Sequence, residues 1–354
     1  MRAPVFLALF LSVASQAFSQ TPAPLPDLPK DPGAILAMAA PYYDFNDPSL
    51  KPWHLKATYQ LYDDNGEPGE QGTFECWWAS PKVYRSSWTR PSAIHSDWHT
   101  ADGKYEYQAT GDHLDFFESK LQAALLSPLP QSPDLDPAKI HLNREMRSLG
   151  AFKSPCIMAV PLMPQHGQIQ AVPLGLFPTY CFDPKVPALR ITYSWGALAV
   201  EFNHIVKMQG KFLAREILLR EGNRTIVSAK VDTIEGLDPT DAALTPPPDA
   251  RTPRSSKAAQ IAPGVMVGML IKKQPPVYPQ DAKDAHASGT VVLRAMIGMD
   301  GGIHDLRVES APWPSLAASA LWAVSHWQYK PYLLNGEPVD VETTVTVIFS
   351  LGGR

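Results

Sequence analysis

The residues of this sequence that could do chemistry are few, and the most compact group is a pair of histidines. His95 and His99 flank Asp97, with Ser96 and Trp98 between them. A four-residue spacing brings two metal ligands together on a helix. These residue types are typical of a strand or turn, however, where the histidines would lie about 13 Å apart. We therefore expect solvated polar side chains here, and we predict no metal site and no cofactor.

The sequence also lacks the short motifs of common catalytic sites. It contains no G-x-S-x-G nucleophile turn, no H-E-x-x-H zinc helix, no phosphate-binding G-x-x-x-x-G-K and no dinucleotide fingerprint. We predict no catalytic residues and expect that the protein is not an enzyme, with an unrecognised hydrolase as the third alternative. Lys and Arg total 31 against 35 Asp and Glu, a net charge of −4. This balance excludes a strongly basic nucleic-acid interface.

Three cysteines are present, and their spacing predicts one disulfide. Cys156 and Cys181 are the closest in sequence and lie beside proline-rich turns. Cys76 would then carry a free thiol. No C-x-x-C motif occurs, which argues against a thiol oxidoreductase. In an oxidising compartment, a bridge between Cys156 and Cys181 would contribute about 3 kcal/mol in the chain-entropy model.

The first residues have the pattern of an export signal. Arg2 precedes an apolar run over residues 5–14, and small residues follow at Ala17 and Ser19. We predict a signal peptide over residues 1–19 with cleavage after Ser19. The alternative is a retained anchor, although ten helical residues span only about 15 Å of a hydrocarbon core of about 30 Å.

The middle of the sequence predicts a β-rich domain over residues 50–237. A proline-rich leader over residues 20–49, with a short helix near 33–40, precedes it, and a proline-rich linker over residues 238–263 follows it. Apolar residues at three- and four-residue spacing predict a helix over 114–126. Alternation of apolar and polar residues predicts strands at 53–62, 73–78, 82–90, 104–110, 156–160, 189–195, 198–207, 212–220 and 225–234. We expect a twisted antiparallel sheet with the helix on one face.

Residues 264–354 predict a second, smaller domain of ββαβ order. Alternation over 291–297 and 303–310 predicts two strands joined by a tight turn at Asp300-Gly301-Gly302. An apolar stripe from Leu316 to Trp327 predicts a helix that covers one face of the sheet. A long alternating strand closes the domain at Val339 to Phe349. The predicted fold class of the whole chain is therefore α+β.

Residues 270–352 resemble the TonB C-terminal domain family. The helix ends in the W-x-Y-x-P pattern of that family, at Trp327 to Pro331. The other matching segments, in order, are Pro276-Val277-Tyr278-Pro279, Gly289-Thr290-Val291-Val292-Leu293, Asp300-Gly301-Gly302-Ile303, Asn335-Gly336-Glu337-Pro338-Val339 and Val345-Thr346-Val347-Ile348-Phe349.

The resemblance implies a periplasmic module, associated with the envelope, that contacts an outer-membrane TonB-dependent receptor or a similar envelope protein. In that family a short receptor segment adds to a sheet edge, where unpaired backbone groups give affinity and alternating side chains give selectivity. The expected edges are the closing strand, Val339 to Leu351, and the approach segment, Gln274 to Tyr278. We predict Trp327 and Phe349 as core residues. The predicted partner-binding residues are Gln274, Tyr278, Glu342, Thr344, Thr346 and Ile348.

The chain departs from a complete energy transducer, because its signal looks cleavable and its linker is short. We therefore expect a binding or adaptor module in transmembrane transport, which a strand exchange could also make dimeric. The middle domain resembles the half-barrel of periplasmic lipoprotein carriers in pattern alone. That resemblance implies the alternative function, a soluble carrier that binds an apolar ligand. The tryptophans that would line such a site or fill a core are Trp53, Trp77, Trp78, Trp88, Trp98 and Trp195.

Overall fold

The structure is a computed structural model. It describes residues 28–63, 65–110, 116–130, 135–150, 152–162, 175, 177–194, 198–252 and 258–351. The predicted signal peptide, the first residues of the leader and Trp195 lie outside this range. Within the described part of the chain, no helix is long and apolar enough to span a membrane.

Twelve antiparallel strands form one sheet in the N-terminal part. The order across the sheet is β5-β4-β3-β2-β1-β12-β11-β10-β9-β8-β7-β6. Strands that are consecutive in sequence are therefore neighbours within β1 to β5 and within β6 to β12, and β1 pairs with β12 where these two halves meet. The strands are β1 (Trp53–Tyr62), β2 (Pro68–Ser80), β3 (Val83–Arg90), β4 (Ala93–His99), β5 (Lys104–Thr110), β6 (Ile140–Leu149), β7 (Phe152–Pro161), β8 (Thr179–Phe182), β9 (Leu189–Ser194), β10 (Leu198–Met208), β11 (Lys211–Glu221) and β12 (Arg224–Gly236). The sequence predicts nine of these strands and misses β6 and β8, while β4 is the stretch expected to be strand or turn.

Two helices pack on one face of this sheet, α1 (Pro32–Ala39) and α2 (Phe116–Leu126). Helix α1 begins after Asp31, whose Oδ1 accepts from the N–H of Ala34 at 2.7 Å. Ile35 and Leu36 are buried in the same core as α2 and β1. The short helix expected near 33–40 is present, and residues 32–50 of the predicted leader pack on the domain, with Ile35, Leu36, Tyr43, Phe45 and Leu50 in its core.

The predicted linker also lies against the sheet in its first half. Leu244 is buried, and the carbonyl oxygen of Ala243 accepts from the indole N–H of Trp98 at 2.9 Å. The backbone of Arg251 pairs with that of Glu106 in β5. Residues 238–252 therefore follow the surface of the domain, and they do not extend away as a spacer.

Cys156 and Cys181 are cross-strand neighbours on β7 and β8, and their sulfur atoms form a disulfide. Cys76 is buried and carries a free thiol, whose pKa burial raises to about 12. A thiol in that state is unreactive. The bridge joins β8 to β7, the strand that contacts the C-terminal domain.

The C-terminal part forms a four-stranded sheet in the order β13-β20-β15-β16, with a helix on one face. The pairs β20–β15 and β15–β16 are antiparallel, and β13 is parallel to β20. The elements are β13 (Ala259–Gln260), α3 (Pro263–Val267), β14 (Leu270–Lys272), α4 (Gln280–Asp284), β15 (Gly289–Ile297), β16 (Ile303–Ser310), α5 (Pro314–Ser325), β17 (Gln328–Tyr329), β18 (Leu333–Leu334), β19 (Glu337–Pro338) and β20 (Val341–Phe349). The predicted order of hairpin, helix and closing strand is present, so the fold class is α+β as expected.

The residues after α5 connect this helix to the hairpin of β15 and β16. The indole N–H of Trp327 donates to the carbonyl oxygen of Gln274 at 2.8 Å, and Tyr329 N–H donates to the carbonyl oxygen of Gly301 at 2.9 Å. Gly301 has φ +77°, and a Cβ atom there would collide with the carbonyl of Tyr329. Only glycine suits this turn, because it combines a positive φ with a close backbone approach.

We expect the change Trp327→Ala to lower the free energy of unfolding by about 3–5 kcal/mol, because the ring is buried in the C-terminal core. Trp313→Ala, at a half-buried tryptophan just before α5, is the matched control and should cost clearly less. Urea unfolding followed by circular dichroism measures both. A loss below about 1 kcal/mol for Trp327→Ala would contradict the core position.

Candidate functional site

Strand β20 has one buried face and one open face. Its odd-numbered residues, from Val341 to Phe349, are buried in the C-terminal core. Its even-numbered residues point to the opposite face, which α5 does not cover. These are Glu342, Thr344, Thr346 and Ile348, four of the six predicted partner-binding residues.

The two sides of β20 in the plane of the sheet differ in how far they are paired. On one side β15 pairs along the whole strand, from Val341 to Phe349. On the other side β13 pairs only at the start of the strand, where Ala259 N–H donates to the carbonyl oxygen of Asp340 at 2.8 Å. The sequence predicts this edge of β20 as free, but its first residues are paired with β13 of the same chain.

Beyond β13 this edge has no partner strand in the described chain, although α3 also lies close to β20. The carbonyl oxygens of Asp340 and Glu342 point toward β13, and backbone groups of alternate residues in a strand point to the same side. The N–H and C=O groups of Thr344, Thr346 and Ile348 therefore also face outward. Among the described residues, no strand pairs with β20 on this side beyond the segment that contains β13.

The side chains on the outer face form a charged end and an apolar end. The carboxylate of Glu342 contacts the guanidinium of Arg294 and the side-chain amide of Gln260. Ile348 lies at the other end of the strand and is 72% exposed. A single exposed aliphatic side chain is ordinary on a protein surface, but this one lies beside outward backbone groups that have no partner strand in the described chain.

The other two predicted partner-binding residues lie away from the open edge. Gln274 is in a coil, and its backbone carbonyl is already bonded to Trp327. The ring of Tyr278 packs edge-on against Phe349 at 5.4 Å, and its hydroxyl donates to the carbonyl oxygen of Ala287. The approach segment therefore supports the end of β20 from the core side and contributes no strand of its own.

The predicted tryptophan set divides between the two faces of the N-terminal sheet. Trp53, Trp78 and Trp88 are buried in its main core. Trp77 and Trp98 lie on the other face, where both contact the guanidinium of Arg85. None of these five residues lines the cavity between the two domains that is described next.

A cavity of about 520 Å³ lies where the two domains meet. Helix α2 and strands β7 to β10 form its walls, and β16 of the C-terminal domain closes one side. Its lining is mostly apolar, with hydroxyl groups from Tyr180 and Tyr193. Charged side chains also line it, namely Lys120, Asp136, Lys139, Asp305 and Arg307, and burial lowers the pKa of Lys120. Sequence reasoning missed this cavity because its walls come from segments far apart in the chain.

Apolar packing also joins the two domains. Met158 and Val160 project from β7 on the side opposite to Ile157, and together with Phe177 they are buried in the core of the C-terminal domain. The domains therefore share part of one core, and the linker does not hold them apart.

An ion pair crosses the same junction. Nε2 of His326, just after α5, lies 2.7 Å from Oε1 of Glu221 at the end of β11, and Arg224 contacts the same carboxylate at 2.6 Å. Nδ1 of His326 lies 2.7 Å from the carbonyl oxygen of Trp322. Only the imidazolium form can donate to both acceptors. Glu221 therefore raises the pKa of His326, and His326 lowers the pKa of Glu221.

The histidines near β4 do not form a shared site. His95 contacts Asp97 at 2.9 Å, and His99 stacks on Tyr84 with ring centroids 4.1 Å apart. Among the residues that the structure describes, no three metal-ligating side chains come together.

The family model of the Gram-negative bacterial TonB protein C-terminal region matches residues 274–351. The C-terminal region is TonB-like. This match confirms the resemblance that the sequence motifs indicated, and it includes all of β20. No curated protein matches the chain.

Solved structures match the two parts of the chain separately. The Pseudomonas aeruginosa TonB C-terminal domain is 30% identical over 24% of this chain and 87% of that chain, with a TM-score of 0.21. A LolA superfamily protein from Nitrosomonas europaea is 7% identical over 60% of this chain and 97% of that chain, with a TM-score of 0.38. A DUF1329 family protein from Desulfovibrio piger is 10% identical over 58% of this chain and 93% of that chain, with a TM-score of 0.37. Likenesses at these TM-scores carry no argument about function.

We expect the pair of His326 and Glu221 to stabilise the chain only over a limited pH range. The pKa of His326 is raised on folding, so its contribution is complete below the unfolded value of about 6.5 and is lost as pH rises through the folded value. The pKa of Glu221 is lowered, so its contribution is lost as pH falls from about 4.3 through the folded value.

The variant His326→Gln should therefore lose about 1 kcal/mol of unfolding free energy between roughly pH 5 and 6, and much less at about pH 8.5. Urea unfolding of both proteins across this range measures the difference. A difference that does not change with pH would contradict the ion pair.

Proposed function

We propose that this chain is an exported, periplasmic adaptor of envelope transport. In this proposal it recruits an extended segment of an outer-membrane TonB-dependent receptor, or of a similar envelope protein, by β-strand addition. The TonB-like C-terminal region supports the cellular setting. The observation that carries the proposal is the open edge of β20, where the backbone groups of Thr344, Thr346 and Ile348 face outward without a partner strand in the described chain.

The edge supplies both affinity and selectivity. An extended peptide beside β20 can pair with outward N–H and C=O groups over three alternate residues, which is the usual basis of strand addition. Thr346 and Ile348 offer one hydroxyl and one aliphatic side chain at the exposed end. A partner with an apolar side chain near Ile348 would cover surface that is now exposed to water.

We expect Thr346→Pro in the full chain to weaken peptide binding about five- to tenfold, the effect of one backbone hydrogen bond. Proline removes an outward donor and keeps the bonds to β15, and proline is tolerated where a strand N–H faces solvent. Thr346→Val removes the hydroxyl, keeps the N–H and serves as the control. Fluorescence anisotropy with synthetic peptides from the periplasmic segments of outer-membrane receptors measures the affinity.

Equal affinities of the two variants would contradict pairing at this edge, and a wild-type chain that binds none of the peptides would overturn the proposed function. Size-exclusion chromatography at the same concentrations detects a second copy of the chain at the edge. A dimer that dissociates on addition of peptide would show that both occupants use β20.

A second candidate function is a carrier of an apolar ligand, and the cavity at the domain junction favours it. Its volume of about 520 Å³ lies within the usual range of small-molecule sites, roughly 300–1,000 Å³. Leu129, Phe177 and Leu198 are among its apolar walls, and the two tyrosines could orient a polar head group.

We expect the delipidated full chain to bind a fluorescent fatty acid at micromolar concentration. Ala123→Trp should weaken this binding at least about fivefold, because Ala123 lines the cavity and is exposed enough to accept the change. Ala242→Trp, at an exposed site away from the cavity, should leave binding unchanged. Absence of any spectral shift with the wild-type chain would remove the carrier function.

A further inference from the structure

Strand β13 lies where a partner strand would have to begin. It is the outermost strand of the C-terminal sheet and runs parallel to β20, with Ala259 opposite Val341 and Gln260 opposite Glu342. Its backbone is bonded at two points, from Ala259 to Asp340 at 2.8 Å and from Ile261 to Glu342 at 3.2 Å.

The side chains and the last carbonyl of this segment also make contacts with β20 and the C-terminal core. The amide of Gln260 donates to the carboxylate of Glu342. Ile261 packs against the C-terminal core, and its carbonyl oxygen accepts from the hydroxyl of Thr343 at 2.8 Å. The segment thus presents one polar side chain outward and one apolar side chain inward, as expected for a strand bound along a sheet edge.

The segment pairs with only the first residues of β20. Its two backbone bonds end at Ile261, and the chain then turns into α3, whose Met266 is buried in the core. A separate peptide that extends along the edge could pair at these positions and also at Thr344, Thr346 and Ile348. The tether favours the resident segment through its high local concentration, whereas the longer pairing favours the separate peptide.

We infer that residues 258–261 are a resident competitor for the partner site on β20. This inference rests on the proposed strand addition and specifies its partner: an extended peptide that runs parallel to β20, with an amide-bearing side chain at Glu342 followed by an aliphatic residue. A peptide that covers Glu342 as well as the open part of the edge requires release of β13, so its apparent affinity equals the intrinsic affinity multiplied by the fraction of molecules in which β13 is released.

The first test opens the site with a single proline. Ala259→Pro removes the N–H that donates to Asp340. Ala262→Pro is the matched control, because φ is already −60° there and its N–H has no acceptor among the described residues. The probe is a labelled peptide of residues 256–263, added to the full chain. We expect Ala259→Pro to bind it at least about fivefold more tightly than wild type, and Ala262→Pro to match wild type.

The second test locks the segment in place. The double variant Gln260→Cys with Glu342→Cys puts two thiols at register partners whose native side chains are in contact, so that oxidation gives a reversible cross-link. The oxidised variant should lose at least about tenfold in affinity for the probe relative to its reduced form. Wild type with and without reductant controls for the native bridge of Cys156 and Cys181.

The outcomes separate this inference from the proposed function. Equal binding by the oxidised and reduced variants, or equal binding by the two proline variants, would overturn the resident competitor. Receptor peptides that bind and respond to Thr346→Pro in the same experiments would leave strand addition itself intact. If neither receptor peptides nor the probe bind any form of the chain, both the inference and the proposed function are wrong.

Discussion

The pairing of β20 with β15 is the interaction on which the C-terminal domain depends. It joins the last strand of the chain to the first strand of the central hairpin over nine register positions, from Gly289 with Phe349 to Ile297 with Val341. Because side chains alternate along a strand, this register buries the odd residues of β20 against α5 and leaves the even residues outside. The same register leaves the far side of the strand as a sheet edge.

The two domains form a more continuous unit than their sequences indicate. Side chains of β7 enter the C-terminal core, the ion pair of His326 and Glu221 crosses the junction, and the cavity has walls from both parts. A change in the docking of the C-terminal domain would therefore alter the cavity, since β16 closes one side of it. In this arrangement the two candidate functions are physically linked.

Most of the local structure was predictable, because it depends on short-range patterns. The alternation of Val291 to Ile297 and the left-handed turn at Gly301 predicted the hairpin, and the outward residues of β20 follow from the same alternation. Strands β6 and β8 were not predictable in this way. Strand β6 consists largely of polar residues, none of them fully buried, and β8 has only four residues, so neither shows a clear apolar period.

Features that depend on long-range contacts could not be predicted. The prolines of the leader and the linker indicate extended chain, but tertiary packing determines where that chain lies. Leu244 is a single large apolar residue beside a run of prolines, and it is buried, as is Ile35 in the short apolar run of α1. The pairing of Ala259 with Val341 joins residues about eighty positions apart, so no local sequence pattern indicates it.

The side-by-side pairing of β13 with β20 has a mechanical consequence for any strand that takes its place. A peptide aligned with β20 and pulled along its own axis strains all of its backbone bonds together, in shear. A peptide pulled across the sheet would peel away one bond at a time. The load passes from β20 to β15 along the full ladder between them, so a tensile force at the rim is spread over the whole sheet and its helix.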